Sequence, residues 1–173
     1  MLILGDVLAI VAAIAGGGVS AWALIVACGL LFPHRVEAAQ TALVASPGKS
    51  ILRGLLLTAT LGTLSIIVMN LPAPLLKVLG VGMLLALFMV AMLGAAGASQ
   101  VAADAIAEKA GDMPPYATFV RGAAFLVAGT MFPAIGWFLF GPALFFASLG
   151  VGWTALVSMR RTSRVSLPVE QLS

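Results

Sequence analysis

The stretch SILRGLLLTATLGTLSIIV, residues 50–68, decides the fold class. It contains no charged side chain after Arg53, and the apolar run continues to Leu71. A helix that crosses a membrane needs about 20 consecutive apolar residues, and this run meets that length. The stretch therefore predicts a membrane-spanning helix that starts near Arg53.

The composition of the whole chain supports the same class. The 173 residues are 62% hydrophobic and only 9% charged, whereas soluble domains average about 45–50% and about 25%. A soluble fold of this size could not bury so much apolar surface, but a lipid bilayer accepts it. The formal charge of +3 comes from scattered basic residues rather than a basic, aromatic face, so we expect a lipid partner and no nucleic acid.

We predict an all-α integral membrane protein with five transmembrane helices and short interfacial helices on the cytoplasmic side. The 41 residues from Phe119 to Met159 are about twice the spanning length and should form a hairpin. Its turn lies either at Phe132–Trp137 or at Phe140–Pro142, and a turn at Pro133 would leave a short fourth span that crosses only partly. Residues 1–173 form a single membrane domain with these predicted parts: span 1 at 7–32, a first hairpin at 50–98, a second hairpin at 118–159 and a cytoplasmic tail at 160–173.

The basic residues predict the orientation. On a five-span topology, 8 of the 9 Lys and Arg residues fall on one side, and only Lys77 falls on the other. Basic residues favour the cytoplasmic side, so we expect the N-terminus outside and the C-terminus in the cytoplasm of a bacterial inner membrane. The first run carries Asp6 and no basic residue, which favours a retained span over a secretory signal. We expect four arginines to anchor span ends at the membrane interface: Arg53, Arg121, Arg160 and Arg161.

Two phrases of the sequence occur twice in the same order. SILRG (50–54) matches TFVRG (118–122), and LGVG (79–82) recurs at 149–152. The arginine precedes LGVG by 26 residues in one copy (53 to 79) and by 28 in the other (121 to 149). We interpret the copies as two homologous helical hairpins of the same orientation, preceded by one extra span.

Small residues recur at four-residue spacing within the spans, as in Ala12, Gly16 and Ser20. Such faces let membrane helices approach closely. The pattern does not distinguish contacts within one chain from contacts between copies. The predicted helix-packing residues are Gly16, Ser20, Gly82, Ala86, Gly94, Gly150 and Gly152.

Both cytoplasmic connections have helical patterns. Residues 34–46 place Val36, Ala39 and Leu43 on one face, and residues 99–112 place Gln100, Asp104 and Glu108 on one face. We expect short helices that lie on the membrane surface or extend the spans.

The sequence offers no group of residues suited to catalysis or cofactor binding. The central parts of the spans contain no Asp, Glu, Lys, Arg or His, and the single histidine, His34, is far in sequence from the single cysteine, Cys28. Metal and haem sites need clustered ligands. No nucleophile–base or phosphate-binding motif occurs. We therefore expect no catalytic residue, no metal and no cofactor, and we predict that the protein is not an enzyme.

Two segments resemble a known family. They are LFPHRVEAAQTALVASPGKSILRGLLL (31–57) and MFPAIGWFLFGPALFFASLGVGWTAL (131–156). Phe-Pro after span 1, Pro-x-Lys-Ser before a Gly-Leu-Leu run and a Pro-x-x-Gly-Trp turn resemble small bacterial multispan domains. These domains stand alone or are fused to polymer-forming, bactofilin-type cytoskeletal proteins. The resemblance covers most of residues 30–158 and implies a membrane-anchoring or scaffolding module.

Two functions follow as expectations. The first is a non-enzymatic scaffold or accessory subunit that self-associates or joins a larger inner-membrane assembly. The alternative is a small channel or transporter for a neutral or lipidic solute. Its pathway would be lined by hydroxyl-bearing side chains: Thr58, Thr63, Thr130 and Thr154.

Overall fold

The structure is a computed structural model that describes residues 2–111, 113–132 and 134–165. All regular elements in these ranges are helical. Two short π-helical segments, Thr58–Gly62 and Gly136–Phe140, interrupt the α-helices. The α-helices are α1 (Leu2–Leu31), α2 (Pro33–Ala45), α3 (Pro47–Leu57), α4 (Thr63–Asn70), α5 (Pro74–Ala110), α6 (Pro115–Met131) and α7 (Gly141–Val165).

Proline defines where several of these helices begin. α2, α3, α5 and α6 each have a proline in the first turn. At that position the missing N–H costs no hydrogen bond, and the fixed φ angle suits a helix. The prolines therefore cut a long apolar sequence into separate helices.

Within the described ranges, four helical segments are long and apolar enough to cross a membrane: Gly5–Leu31, Pro47–Asn70, Pro74–Ala110 and Gly136–Val157. The second of these is α3, the first π-helical segment and α4 in one continuous rod. α6 has 17 residues, and at a rise of about 1.5 Å per residue it is roughly 25 Å long. It is shorter than the hydrocarbon core of a typical bilayer, which is about 30 Å thick.

The turn between α6 and α7 falls at Phe132–Trp137, the first of the two expected positions. α6 ends at Met131, and the helix resumes with Ile135. The Gly136 N–H donates to the Phe132 carbonyl oxygen at 2.8 Å. Ala134 has a positive φ of 68°, and Pro133 lies outside the described residues. A turn here is what makes α6 short.

α5 is the central helix of the molecule. It contacts α1, α2, α4, α6 and α7. Large apolar side chains of the surrounding helices are exposed on the outside of the bundle, such as Leu8, Leu56 and Phe125. An apolar exterior around a core of small side chains is typical of a helical bundle in lipid.

The two predicted connecting helices take different forms. Residues 34–45 fall in the separate helix α2, whose residues Val36 and Ala39 are buried, with Leu43 packed beside Ala39. Residues 99–110 extend α5 instead of forming a helix of their own. The amide of Gln40 in α2 donates to the carboxylate of Asp104 in this extension, which ties the two helices together.

Candidate functional site

The middle of α5 is buried on every side. All seven residues from Leu93 to Ser99 are buried, and after Leu93 their side chains are only hydrogen, methyl or hydroxymethyl groups. A helix that is buried all round must have neighbours on all faces. The small side chains allow those neighbours to approach its backbone.

α3 and α7 cross through a reciprocal pair of glycines. A Cβ atom at Gly54 would collide with the backbone carbonyl of Phe146, and one at Gly150 would collide with that of Ser50. Each glycine thus faces the backbone of the residue four positions before the other glycine. This arrangement requires two small residues at four-residue spacing on α3, and Ser50 and Gly54 provide them.

α5 and α7 cross in a similar way. A Cβ atom at Gly94 would overlap the carbonyl oxygen of Ser148, and one at Gly152 would overlap that of Val90. Backbone atoms cannot move aside as a flexible side chain can, so a larger residue would push the helices apart. α7 therefore contacts two different helices through two glycines of its Leu149–Gly152 motif, α3 through Gly150 and α5 through Gly152.

The predicted helix-packing residues divide into two groups. Gly94, Gly150 and Gly152 lie at the crossings just described. Gly16 and Gly82 are exposed, and a Cβ atom at either would meet nothing within 4 Å. Ser20 and Ala86 are also exposed. Gly16 and Gly82 therefore make no close helix contact within the chain.

Other close contacts are made by residues outside the predicted set. Gly97 lies against Ala39 of α2. A Cβ atom added at Gly122 would lie 2.5 Å from the Ser99 carbonyl oxygen. Gly54 and Gly122 directly follow the two repeated arginines. The repeated Arg-Gly pair was therefore a sequence feature that could have identified both glycines as packing residues. Gly97 lies three residues after Gly94, a spacing that also places two residues on one helical face.

The interface arginines that the structure describes are both exposed. Arg53 and Arg121 each lie six residues after the proline that begins their helix. The Arg121 guanidinium contacts the sulfur of Met113 at 2.7 Å. The side chains of Arg160 and Arg161, and residues 166–173 of the predicted tail, lie outside the described residues.

The four threonines of the expected solute pathway lie apart. The hydroxyls of Thr58, Thr130 and Thr154 each donate to a carbonyl of their own helix, and Thr63 is exposed. Thr130 lines a cavity within the helix bundle. Its cavity, of about 190 Å³, lies between α1, α5, α6 and α7.

Metal ligands do not gather in the described part of the chain. Within those ranges, no three His, Cys, Asp or Glu residues lie close enough together to hold a metal ion. Cys28 is partly buried in α1 and forms no disulfide.

Comparisons of the chain with protein-family models, curated proteins and solved structures found no match. The arguments for function therefore rest on the chain's own geometry.

Proposed function

We propose that the protein is a non-enzymatic structural subunit of a membrane, and that it associates with a second copy of itself through the outer half of α1, residues 5–20. The observation that carries this proposal is the contrast between two kinds of glycine. Glycines at the helix crossings lie against neighbouring backbones. Three of the four glycines in the outer half of α1, Gly5, Gly16 and Gly17, have nothing within 4 Å of an added Cβ atom, whereas Gly18 packs against Met131 of α6.

The outer half of α1 is rich in glycines without an internal role. Added Cβ atoms at Gly5, Gly16 and Gly17 would meet nothing within 4 Å. Glycine inside a helix costs about 1 kcal/mol relative to alanine. A helix that retains several glycines without internal contacts is well suited to close contact with a helix from another chain.

The geometry of this segment fits a second copy. Ala12, Gly16 and Ser20 follow each other at four-residue spacing and are all exposed. The Ser20 hydroxyl donates to the Gly16 carbonyl oxygen at 2.9 Å, so it brings no unpaired donor into a contact. Two copies of this face related by a two-fold axis would bring Gly16 against its counterpart, and two-fold dimers are the commonest homo-oligomers.

The test is the oligomeric state in lipid nanodiscs or mild detergent, measured by native mass spectrometry. Gly16→Leu should convert the wild-type oligomer to a monomer because the added side chain separates the helices. Gly48→Leu is the matched control, since Gly48 is also exposed and meets nothing within 4 Å but lies in α3. Gly82→Leu tests the second exposed face, which includes Ala86.

Three outcomes would contradict the proposal. They are a wild-type protein that is monomeric at every concentration, an oligomer that survives Gly16→Leu, and an equal effect of Gly16→Leu and Gly48→Leu. If the oligomers contain another membrane protein in place of the second copy, the result would contradict self-association and support an accessory-subunit function.

The proposal includes five spans in a bacterial inner membrane, with α6 as the short fourth span. The placement of Arg53 and Arg121 after the starts of α3 and α6 supports a common cytoplasmic side for both. The resemblance to bactofilin-associated membrane domains adds a role in membrane anchoring.

The proposed hairpin repeat has support at its start and differs at its end. Pro47 and Pro115 begin the helices α3 and α6 that carry the starts of the two units, and each is followed six residues later by the arginine and then a buried glycine. The two LGVG copies lie in different surroundings. Gly80 lies beside Ser65 and Met69 of its own hairpin, whereas Gly150 lies against α3.

A further inference from the structure

The cavity between α1, α5, α6 and α7 combines an apolar wall with an unusual hydroxyl group. Its volume is about 190 Å³, and it is partly open to the surroundings of the bundle. An apolar protein cavity of about 150 Å³ is large enough to bind benzene. The lining includes Ala21 and Ile25 of α1, Ala95 of α5, Thr130 of α6, and Phe145 and Ser148 of α7.

Ser148 differs from most hydroxyl residues of the spanning helices. Hydroxyls in membrane helices usually donate to a carbonyl of their own preceding turn, and this chain follows that rule at Ser20, Ser50, Thr58, Thr60, Ser99, Thr118, Thr130 and Thr154. Ser148 is only 2% exposed, yet its hydroxyl has no hydrogen-bond partner. A buried donor without a partner is rare and calls for an explanation.

Water is a poor partner for this hydroxyl. A buried water molecule usually makes about three hydrogen bonds to polar groups. The side chains lining this cavity offer two hydroxyls, those of Thr130 and Ser148, and the Thr130 hydroxyl already donates to the Val127 carbonyl oxygen at 2.7 Å. An apolar molecule with a single acceptor matches the cavity better.

We propose that this cavity is a binding site for a small membrane-dissolved molecule that has an apolar ring and one carbonyl group. The ring fills the space beside Ala95 and Phe145, and the carbonyl oxygen accepts a hydrogen bond from Ser148. The partial opening gives such a molecule access from the bilayer. The site is separate from the outer half of α1, so it does not depend on self-association.

The test uses two fluorinated probes of matched shape, 4′-fluoroacetophenone and 1-ethyl-4-fluorobenzene, which differ by the carbonyl oxygen. Binding to the protein in lipid nanodiscs is followed by ¹⁹F NMR. Probe concentration is expressed per lipid, with empty nanodiscs as the partition reference. The ketone should bind about fivefold more tightly than the hydrocarbon, the effect of one added hydrogen bond.

Two variants with closely similar changes separate the site from general effects. Ser148→Ala should abolish the preference for the ketone while the hydrocarbon still binds. Ser65→Ala should leave the preference unchanged, because Ser65 is also buried without a hydrogen-bond partner but does not line this cavity. Ala21→Phe should block both probes by filling the cavity from α1, whose Ala21 is only partly buried.

The proposal is overturned if neither probe binds saturably, if wild-type protein binds both equally, or if the preference persists in Ser148→Ala. Native mass spectrometry and a thermal unfolding curve on each variant verify that it is folded before binding is compared.

Discussion

Gly94 of α5 lies directly against the backbone carbonyl of Ser148 in α7, without room for a Cβ atom between them. The same serine lines the cavity between α1, α5, α6 and α7. The contact that brings the two helices together therefore also fixes the position of the unpartnered hydroxyl. Packing at the centre and a binding site beside it depend on one residue pair.

Gly94→Ala should destabilise the protein by about 1–3 kcal/mol, because the added methyl group meets backbone atoms that cannot move aside. Gly82→Ala is the matched control on the same helix. Its position is open, so alanine should leave stability unchanged or raise it by up to about 1 kcal/mol. Reversible unfolding in mixed micelles measures both, and equal effects would contradict the close crossing.

Gly54→Ala and Gly150→Ala should each destabilise the crossing of α3 and α7, and their effects should not add. Either methyl group pushes the same two helices apart, so the second substitution meets a contact that is already loosened. Neighbouring sites of this kind show coupling of about 0.5–3 kcal/mol. A double-mutant cycle of unfolding free energies measures the coupling. Strict additivity would show that the two glycines act at independent contacts.

Trp22→Phe should lower the free energy of unfolding by about 1 kcal/mol. The Trp22 indole N–H donates to the Val120 carbonyl oxygen at 3.1 Å and joins α1 to α6. Phenylalanine keeps an aromatic ring but removes the donor. Trp137→Phe is the control, because Trp137 is 53% exposed, and it should change stability little. The reverse order of effects would exclude a stabilising role for this hydrogen bond.

Ala134→Gly should stabilise the turn between α6 and α7. Ala134 has a φ of 68°, a conformation that costs a residue with a Cβ atom about 1 kcal/mol and costs glycine nothing. Ala134→Val should act in the opposite direction, because a β-branched side chain tolerates positive φ least. Thermal unfolding in detergent should rank the proteins Gly, Ala, Val in decreasing stability. No trend across the series would argue against this turn geometry.

A reporter enzyme fused after Ser173 should be active only in the cytoplasm, and one inserted between Asn70 and Pro74 only outside. The reason is the excess of basic residues near the starts of α3 and α6 and the end of α7. A variant that combines Arg53→Glu and Arg121→Glu with lysines added near Pro72 reverses the distribution of basic residues. It should insert with a mixed or inverted orientation. A C-terminal reporter active only outside would disprove the proposed topology.

The sequence by itself determined that this is a helical protein with segments long and apolar enough to cross a membrane. Long uncharged runs such as residues 54–71 leave no other way to satisfy the backbone in lipid. It also indicated close packing through Gly94 and the small residues spaced along the same helix. These signals are local, because each depends only on residue type and on spacing along one helix.

Only the tertiary structure decided which small residues are used. Gly94 and Gly82 are each followed by an alanine four residues later, yet Gly94 lies against the backbone of α7 and an added Cβ atom at Gly82 would meet nothing within 4 Å. The same holds for the hydroxyl residues. Thr130 and Ser148 both lie in apolar runs of the sequence, but the Thr130 hydroxyl donates a hydrogen bond and the Ser148 hydroxyl has no partner. Contacts between helices distant in sequence depend on crossing angles and rotation about each axis, and spacing along a single helix does not specify either.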